Sequence, residues 1–207
     1  MVLIPKPLLF HAAVGVITHG QIQKSYKLFF YIYLMNKTYP LHWPQFYTAT
    51  IYEWYPMLTK DKYKNIIISS LQFLVNDKRI ILNAYVIMNN HIHLIWQALP
   101  EHTPSQIQLS FMRYTAQQIK FELQKDDVEL LEKCKVDKTD RAYQIWKREA
   151  LSIALFTPLV FNQKLDYIHQ NPVKAGLCDF AEDYYYSSAS FYQTGIDKFK
   201  MLTHYMG

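Results

Sequence analysis

The chain has 207 residues, of which 50% are hydrophobic and 19% charged, and its formal net charge is +5. This composition excludes a disordered or fibrous chain and predicts one globular domain with a sizeable core. The basic balance is a weak indication of a nucleic-acid partner. The two cysteines, Cys134 and Cys178, form no CxxC pair and imply no disulfide framework, so we expect a cytoplasmic protein.

The N-terminal region is predicted to be an appendage of the main domain. Its apolar stretches are shorter than the roughly twenty residues needed to cross a bilayer, so we expect no membrane association. The His-Trp-Pro run at 42–44 indicates a boundary. We therefore divide the chain into an appendage at 1–44, a main domain at 45–193 and a C-terminal tail at 194–207.

From residue 46 the sequence alternates between strand and helix signals. The strand segments are rich in β-branched and aromatic residues, whereas the helical segments repeat apolar residues at helical spacing. Thr-Pro pairs at 103–104 and 157–158 are typical of helix starts. In chain order the predicted elements are a strand at 46–55, a helix at 60–77, strands at 79–88 and 91–98, a helix at 104–125, an irregular segment at 126–142 with a short helix at 127–134, a strand within 145–156, and a helix at 158–171.

This order predicts an α+β fold of the ferredoxin-like or RRM-like type. A split βαβ arrangement gives a four-stranded antiparallel sheet with helices on one face. In the strand at 79–88 every second residue should share one face, so Leu82, Ala84, Val86 and Met88 alternate with Ile81, Asn83, Tyr85 and Ile87. The Asn-Asn pair at 89–90 supplies a tight turn to the next strand. Such a sheet would leave its other face free for a ligand.

Two histidines begin the strand after this turn. Because side chains alternate along a strand, His91 and His93 point to one face, and Ile92, Leu94 and Trp96 point to the other, into the expected core. Two imidazoles side by side on a rigid strand can bind a metal ion. Taken alone, the pair favours the other interpretation, two histidines on a solvated sheet face, and only the residues further along the chain favour a metal site.

The helix at 158–171 supplies a second group of candidate residues. Tyr167 and Asn171 are four residues apart and share a helix face that flanks the apolar stripe. Asn171 offers a carbonyl oxygen, which is a suitable ligand for a hard divalent cation. Together with His91 and His93 it makes a plausible three-ligand site with open positions, and Tyr167 would lie beside the metal.

This combination of residues suggests a phosphoryl-transfer chemistry. A bound metal polarises a phosphodiester oxygen, and a tyrosine hydroxyl attacks phosphorus and becomes covalently attached. The covalent link stores the energy of the broken bond, so the ends can be rejoined without ATP. The sequence therefore indicates strand transfer or nicking and joining rather than simple hydrolysis.

Two motifs resemble those of a known family, the REP-associated tyrosine transposases. The segment Ala84–Trp96 resembles the HUH strand of single-tyrosine transposases, where U is a hydrophobic residue, and Asp166–Leu177 resembles their tyrosine helix. Segments 144–149 and 183–188 also resemble parts of that branch, which is related to the transposases of insertion sequences 200 and 605. The resemblance covers roughly 46–193.

The resemblance implies specific roles for the candidate residues. It implies that His91 and His93 bind Mg²⁺ or Mn²⁺, that Asn171 completes the metal site, and that Tyr167 is the nucleophile of an HUH endonuclease. Members of the family cut single-stranded DNA near hairpins through a 5′-phosphotyrosine intermediate. The resemblance is compatible with a monomer or a homodimer that acts on DNA of the nucleoid.

Basic residues outside these motifs are further candidates for DNA contacts. Arg113 and Lys120 lie on the helix at 104–125, and Lys174 follows the tyrosine helix. Each can also be a cation on a solvated helix face, without a DNA role.

Two alternative functions remain open from the sequence. A non-catalytic nucleic-acid-binding module of the RRM type, which includes an inactive domesticated copy, shares the predicted architecture but carries aromatic residues on its central strands. A metal-dependent hydrolase would use the two histidines and water, and would form no covalent adduct.

Overall fold

The computed structural model describes residues 43–205, so nearly all of the predicted appendage at 1–44 lies outside the described residues. The domain boundaries remain predictions. No helix in the described part of the chain is long and apolar enough to cross a membrane. The strands and helices are β1 Gln45–Thr50, α1 Asp61–Asn76, β2 Ile80–Ile87, β3 His91–Ala98, α2 Pro104–Asp126, α3 Val128–Lys133, β4 Lys135–Lys138, β5 Arg141–Tyr143, β6 Leu151–Ala154, α4 Pro158–Lys174 and α5 Ala189–Thr194.

The main sheet has four strands in the order β2-β3-β1-β6, and every neighbouring pair is antiparallel. This arrangement confirms the predicted α+β fold. The strands β4 and β5 form a separate two-stranded sheet within the segment that was expected to be irregular. Each is short and largely polar, so neither shows the apolar alternation that predicts a strand.

One face of the sheet packs against α1 and α2. Its core contains the strand residues Tyr47, Leu94 and Trp96, together with helix residues such as Ile67 and Phe111. The expected inward direction of Ile92, Leu94 and Trp96 is confirmed, since all three are buried in this core. Helices α1 and α2 follow their apolar stripes, and α2 begins at a Thr103 capping box.

The sequence had suggested that the opposite face of the sheet is free for a ligand, but the structure shows that a helix covers it. Helix α4 packs there, and Phe161 and Ile168 meet the strand residues Phe46, Val86 and Ile95 in a second, smaller core. Because strand side chains alternate, these three apolar positions fall on the same face as the histidines and need a cover. The expectation of helices on one face therefore holds for α1 and α2 but not for α4.

A β-bulge in β2 alters the side-chain alternation. The pairing shifts between Leu82 and Ala84, so Asn83 is the additional residue. Leu82 consequently lies in the core under α1 and α2, whereas Ala84 and Val86 lie under α4. The expectation that all three share one face is wrong. The Asn83 amide donates to the backbone oxygen of Thr203 at 3.1 Å, which fixes the tail beside the bulge.

Helix α4 begins where the sequence predicts, with Thr157 as its cap and Pro158 in its first turn. The predicted helix ends at Asn171, whereas the observed helix continues to Lys174 and includes Pro172 in its last turn. Proline removes one helical hydrogen bond, but its fixed φ suits a helix, so the helix continues across it. Gly176, with a φ of 67°, follows the helix end.

The C-terminal segment packs against β2 and α4 through several aromatic residues. Tyr184 donates to the Ile87 carbonyl at 2.9 Å, and Tyr186 is buried, whereas Tyr185 between them is exposed. On α4, the Nε2 of His169 lies 2.9 Å from the Ser188 hydroxyl, and burial lowers the pKa of His169 to about 4.

A buried hydrogen bond joins α2 to the segment before β6. The Trp146 indole donates from Nε1 to the Thr115 hydroxyl at 3.0 Å, and Thr115 itself is fully buried. We expect Thr115→Val to lower the free energy of unfolding by about 1–3 kcal/mol, because the indole N–H loses its acceptor at nearly constant side-chain volume. Urea denaturation measures the effect. As a control, Thr194→Val removes an exposed hydroxyl and should change stability by less than about 0.5 kcal/mol. Equal stability of the two variants would contradict the assignment.

Candidate active site

The pairing of β1 with β3 places both histidines on the face that α4 covers. Thr50 is opposite His91, and Thr48 is opposite His93. The two imidazole centroids are 4.9 Å apart, with the ring planes at 70°. His91 is half-buried and His93 is buried, so the pair lies at the edge of the second core rather than on a solvated surface.

The side chain of Asn90 determines the tautomer of His91. Its amide nitrogen donates to the Trp54 carbonyl at 3.3 Å, so its oxygen faces His91 Nδ1 at 2.7 Å. Since that oxygen only accepts, Nδ1 carries the proton and Nε2 keeps a lone pair. Asn90 was interpreted from the sequence only as a turn residue, and its second role depends on the turn's three-dimensional shape.

His93 has a similar arrangement in a more buried place. Its Nδ1 lies 2.7 Å from the Thr48 hydroxyl, which can accept the ring proton. Its Nε2 is buried and has no hydrogen-bond partner. Burial, and then the nearby His91 and Lys164, lower the pKa of His93 to about 3, while burial also lowers the pKa of His91. Both rings are therefore neutral at pH 7, as metal ligands must be.

Helix α4 brings Tyr167 and Asn171 to the histidines, as their spacing predicts. The Tyr167 ring lies 5.2 Å from the His93 ring by centroids and 5.8 Å from the Phe46 ring. It is 43% exposed, so its hydroxyl can be reached by a large substrate. The Asn171 amide nitrogen donates to the Tyr167 carbonyl at 2.8 Å, and its side chain also hydrogen-bonds His91, which opposes the lowering of that histidine's pKa.

These residues fit a divalent cation. Each imidazole holds a neighbour through Nδ1, which is how metal-binding histidines are usually oriented, and the Nε2 of His93 has no hydrogen-bond partner. Within residues 43–205 no group of three His, Cys, Asp or Glu side chains could hold a metal. The amide oxygen of Asn171, whose side chain hydrogen-bonds His91, could serve as a third protein ligand here.

Two lysines flank the tyrosine, and one of them was not predicted. Lys164 Nζ lies 4.7 Å from the centroid of the Phe46 ring and 5.6 Å from that of Tyr167. Lys174 Nζ lies 5.9 Å from the Tyr167 centroid on the other side along the helix. Lys164 precedes Tyr167 by three residues, and this spacing could have identified it from the sequence.

The remaining DNA-binding candidates lie apart from this site. Arg113 and Lys120 are on α2, the helix that packs on the opposite face of the sheet from the histidines. Arg113 is exposed, and Lys120 contacts the rings of Phe121 and Tyr143. Their DNA role stays a prediction, and it would require DNA to reach a second surface. Of the three candidates, the structure places only Lys174 beside Tyr167.

Comparison with known proteins identifies the fold. No protein-family model and no curated protein matches the chain. Among solved structures, a REP-associated tyrosine transposase bound to a REP hairpin matches with a TM-score of 0.57 and 18% identity, over 79% of this chain and 87% of that one. A candidate transposase from Deinococcus radiodurans R1 matches 65% of this chain and 95% of that one at 12% identity, with a TM-score of 0.41.

The chain thus has the fold of a REP-associated tyrosine transposase. The resemblance that its motifs suggested is confirmed at the level of the fold. At 18% identity the match does not assign roles to individual residues, so their roles are inferred from the geometry of the site.

The hydroxyl of Thr48 should fix the tautomer of His93. We expect Thr48→Val to lower the free energy of unfolding by about 1–3 kcal/mol, because the buried Nδ1–H loses its acceptor. Nitrogen NMR of the imidazoles should show His93 protonated at Nδ1 in the wild type and a mixture of tautomers in the variant. Thr59→Val, which removes an exposed hydroxyl bonded to Pro56, is the control and should leave the His93 signals unchanged. Unchanged His93 signals in Thr48→Val would contradict this role.

Proposed function

We propose that the chain is a transposase-type DNA endonuclease and strand transferase that nicks single-stranded DNA and rejoins it through Tyr167. One observation carries the proposal. The phenol of Tyr167 is exposed beside His93, whose Nε2 is buried, neutral and without a hydrogen-bond partner. A buried nitrogen of this kind is costly unless a ligand binds it.

In the proposed reaction the Tyr167 oxygen attacks a backbone phosphorus of the DNA. The phenol gives up its proton to water or a nearby base, the bond from phosphorus to the 3′ oxygen breaks, and that oxygen takes up a proton. The products are a 5′-phosphotyrosine link and a free 3′ hydroxyl. Attack by a 3′ hydroxyl on the link reverses these steps and rejoins a strand, so neither ATP nor water is consumed.

Mg²⁺ or Mn²⁺ held by His91, His93 and Asn171 would polarise the phosphodiester and stabilise its developing charge. The protein contributes the rest of the arrangement. Asn171 bonds the Tyr167 carbonyl, and the Tyr167 ring packs edge-on against Phe46 and His93. These contacts hold the phenol in one orientation before DNA binds, which lowers the entropic cost of the attack.

The two flanking lysines suit a phosphate at this place. Lys164 and Lys174 are both within 6 Å of the Tyr167 ring centroid, at 5.6 and 5.9 Å. Their charges would attract the DNA backbone and stabilise the phenolate as its proton leaves. Lys164 is half-buried, so its charge is screened less by water than that of an exposed lysine.

Support for hairpin DNA as the substrate comes from the solved structure of the same fold, which was bound to a REP hairpin. The net charge of +5 agrees with a phosphate-rich partner. His91, His93, Tyr167 and Asn171 all come from one chain, so the proposed chemistry requires no second copy. A homodimer remains compatible with this proposal.

The two alternatives fit the site less well. An RRM-type module stacks bases on an open sheet with aromatic residues on the central strands. Here the corresponding face carries His91 and His93 and is packed against α4. A hydrolase that uses water would give no role to the phenol at 5.2 Å from the His93 ring, although it would need the same two histidines.

Tyr167→Phe tests the nucleophile. The substitution removes one oxygen and keeps the ring, so we expect folding and DNA binding to persist while the covalent adduct disappears. Labelled single-stranded hairpin DNA, incubated with Mg²⁺ and run on a denaturing gel, reports the adduct, and peptide mapping locates it. Tyr185→Phe, at an exposed tyrosine outside the site, is the matched control and should form the adduct as the wild type does. An adduct that persists in Tyr167→Phe would disprove the mechanism, and nicking without any adduct would favour the hydrolase.

His91→Ala and His93→Ala test the metal site. We expect each to reduce adduct formation by at least about a hundred-fold, since each removes a proposed ligand, while binding to hairpin DNA changes little because phosphate contacts supply most of the affinity. His102→Ala, in the loop after β3, is the control and should retain activity. Calorimetry should show that Mn²⁺ binds more weakly to His91→Ala and His93→Ala than to the wild type, and equally well to His102→Ala. Undiminished Mn²⁺ binding and cleavage in both would refute the metal assignment.

A further inference from the structure

A tryptophan lies at the end of the candidate active site opposite Tyr167. Trp54 is 54% exposed, and its ring centroid lies 6.1 Å from that of His91, with the planes at 71°. The rings therefore follow one another as Trp54, His91, His93 and Tyr167, with successive centroids 6.1, 4.9 and 5.2 Å apart. Neither the motifs nor the proposed reaction gives a role to this indole.

The backbone that presents Trp54 is strained. Glu53 and Trp54 have φ values of 49° and 59°, so two successive residues with side chains adopt the left-handed conformation. That conformation is disfavoured for bulky residues, and residues that adopt it cluster at functional sites. A hydrogen bond from the Trp54 N–H to the Ile51 carbonyl at 3.0 Å, and another from Tyr55 to Tyr52 at 3.2 Å, hold the turn in place.

Asn90 connects this turn to the metal site. Its amide nitrogen donates to the Trp54 carbonyl, and its oxygen accepts the His91 Nδ1 proton. One side chain therefore fixes the position of Trp54 relative to a proposed metal ligand. The turn that presents the indole and the proposed metal ligand are therefore positioned together, at a distance that one substrate can span.

A cation accompanies the indole. Lys147 Nζ lies 4.8 Å from the Trp54 ring centroid, and the backbone N–H of Lys147 donates to the Thr50 carbonyl at 2.7 Å. An aromatic ring beside a lysine is the combination that binds single-stranded nucleic acid, because the ring stacks on a base and the ammonium group attracts the phosphate. Glu53 adds a negative charge to this turn, and its carboxylate would disfavour a phosphate on its own side.

We propose that Trp54 and Lys147 form a stacking site for one unpaired base of single-stranded DNA, belonging to a nucleotide next to the phosphodiester that is cut. This inference rests on the proposed function, which places that phosphodiester between the histidines and Tyr167. The base stacks on the indole, and Lys147 contacts its phosphate. The site recognises an unpaired base through its flat face, so it selects single-stranded over double-stranded DNA without reading the sequence.

The test compares DNA with bases and DNA without them. Fluorescence anisotropy measures binding of the full chain to labelled oligothymidylate and to an abasic oligomer of the same length. EDTA is present, so that no cleavage occurs. We expect Trp54→Gly to weaken binding of oligothymidylate by about five- to a hundred-fold and to leave binding of the abasic oligomer unchanged. Trp54→Phe, which keeps an aromatic face, should retain most of the affinity.

Thermal unfolding separates a binding role from a structural one. Glycine adopts a φ of 59° without strain, so Trp54→Gly should keep or raise the unfolding temperature while it loses base-dependent binding. A matched control is Trp43→Gly, at an exposed tryptophan that packs edge-on against Phe156 near the other end of β1. This control should not alter the preference for DNA with bases.

Several results would overturn the inference. One is equal affinity of the wild-type protein for the two oligomers. Another is a Trp54→Gly variant whose affinity falls by the same factor for both oligomers, and a third is a Trp54→Gly variant that keeps full affinity for oligothymidylate. If the wild type is a dimer and Trp54→Gly is a monomer that still prefers DNA with bases, the indole belongs to a contact between two copies of the chain. Loss of the adduct in Tyr167→Phe is independent of these binding data, so failure of the stacking site and failure of the proposed reaction can be distinguished.

Discussion

The register between β1 and β3 is the constraint on which the site depends. It sets Thr48 opposite His93 and Thr50 opposite His91, and it places Phe46 on the same face, beneath Lys164 and Tyr167. A slip of one residue would turn the Thr48 hydroxyl to the other face and leave a buried imidazole nitrogen without a partner. The apolar residues of β1 on the opposite face, under α1 and α2, prevent such a slip.

Helix α4 contributes to stability and to the site through two of its faces. Phe161 and Ile168 are buried and close the second core, whereas Tyr167 is partly exposed and reaches the histidines. Since packing of the apolar stripe fixes the rotation of the helix, it also fixes the direction of the phenol. A core substitution under α4 can therefore displace the phenol of Tyr167, the proposed nucleophile, without touching it, and its effects on stability and on the proposed activity should appear together.

The electrostatics of the site favour neutral histidines and a nearby anion. Burial lowers the pKa of both imidazoles, and Lys164 adds to this effect at His93. Protonation of a ring would place a third positive charge close to Lys164 and Lys174, in a region of low dielectric. Lys164 thus adds to the burial that keeps His93 neutral, and Lys164 and Lys174 together are suited to attract the phosphodiester of the proposed substrate.

The sequence by itself determined the order of the four main-sheet strands and of the helices that pack on them, the shared face of His91 and His93, and the spacing of Tyr167 and Asn171. These are local properties, because the periodicity of a strand or helix is written in residues close together in the chain. Only the tertiary structure decided that α4 covers the histidine face, that a bulge at Asn83 divides β2 between two cores, and that Asn90 links Trp54 to His91. Those features depend on contacts between residues distant in the chain and on backbone shape, and no local pattern encodes which distant partner a buried polar group will meet.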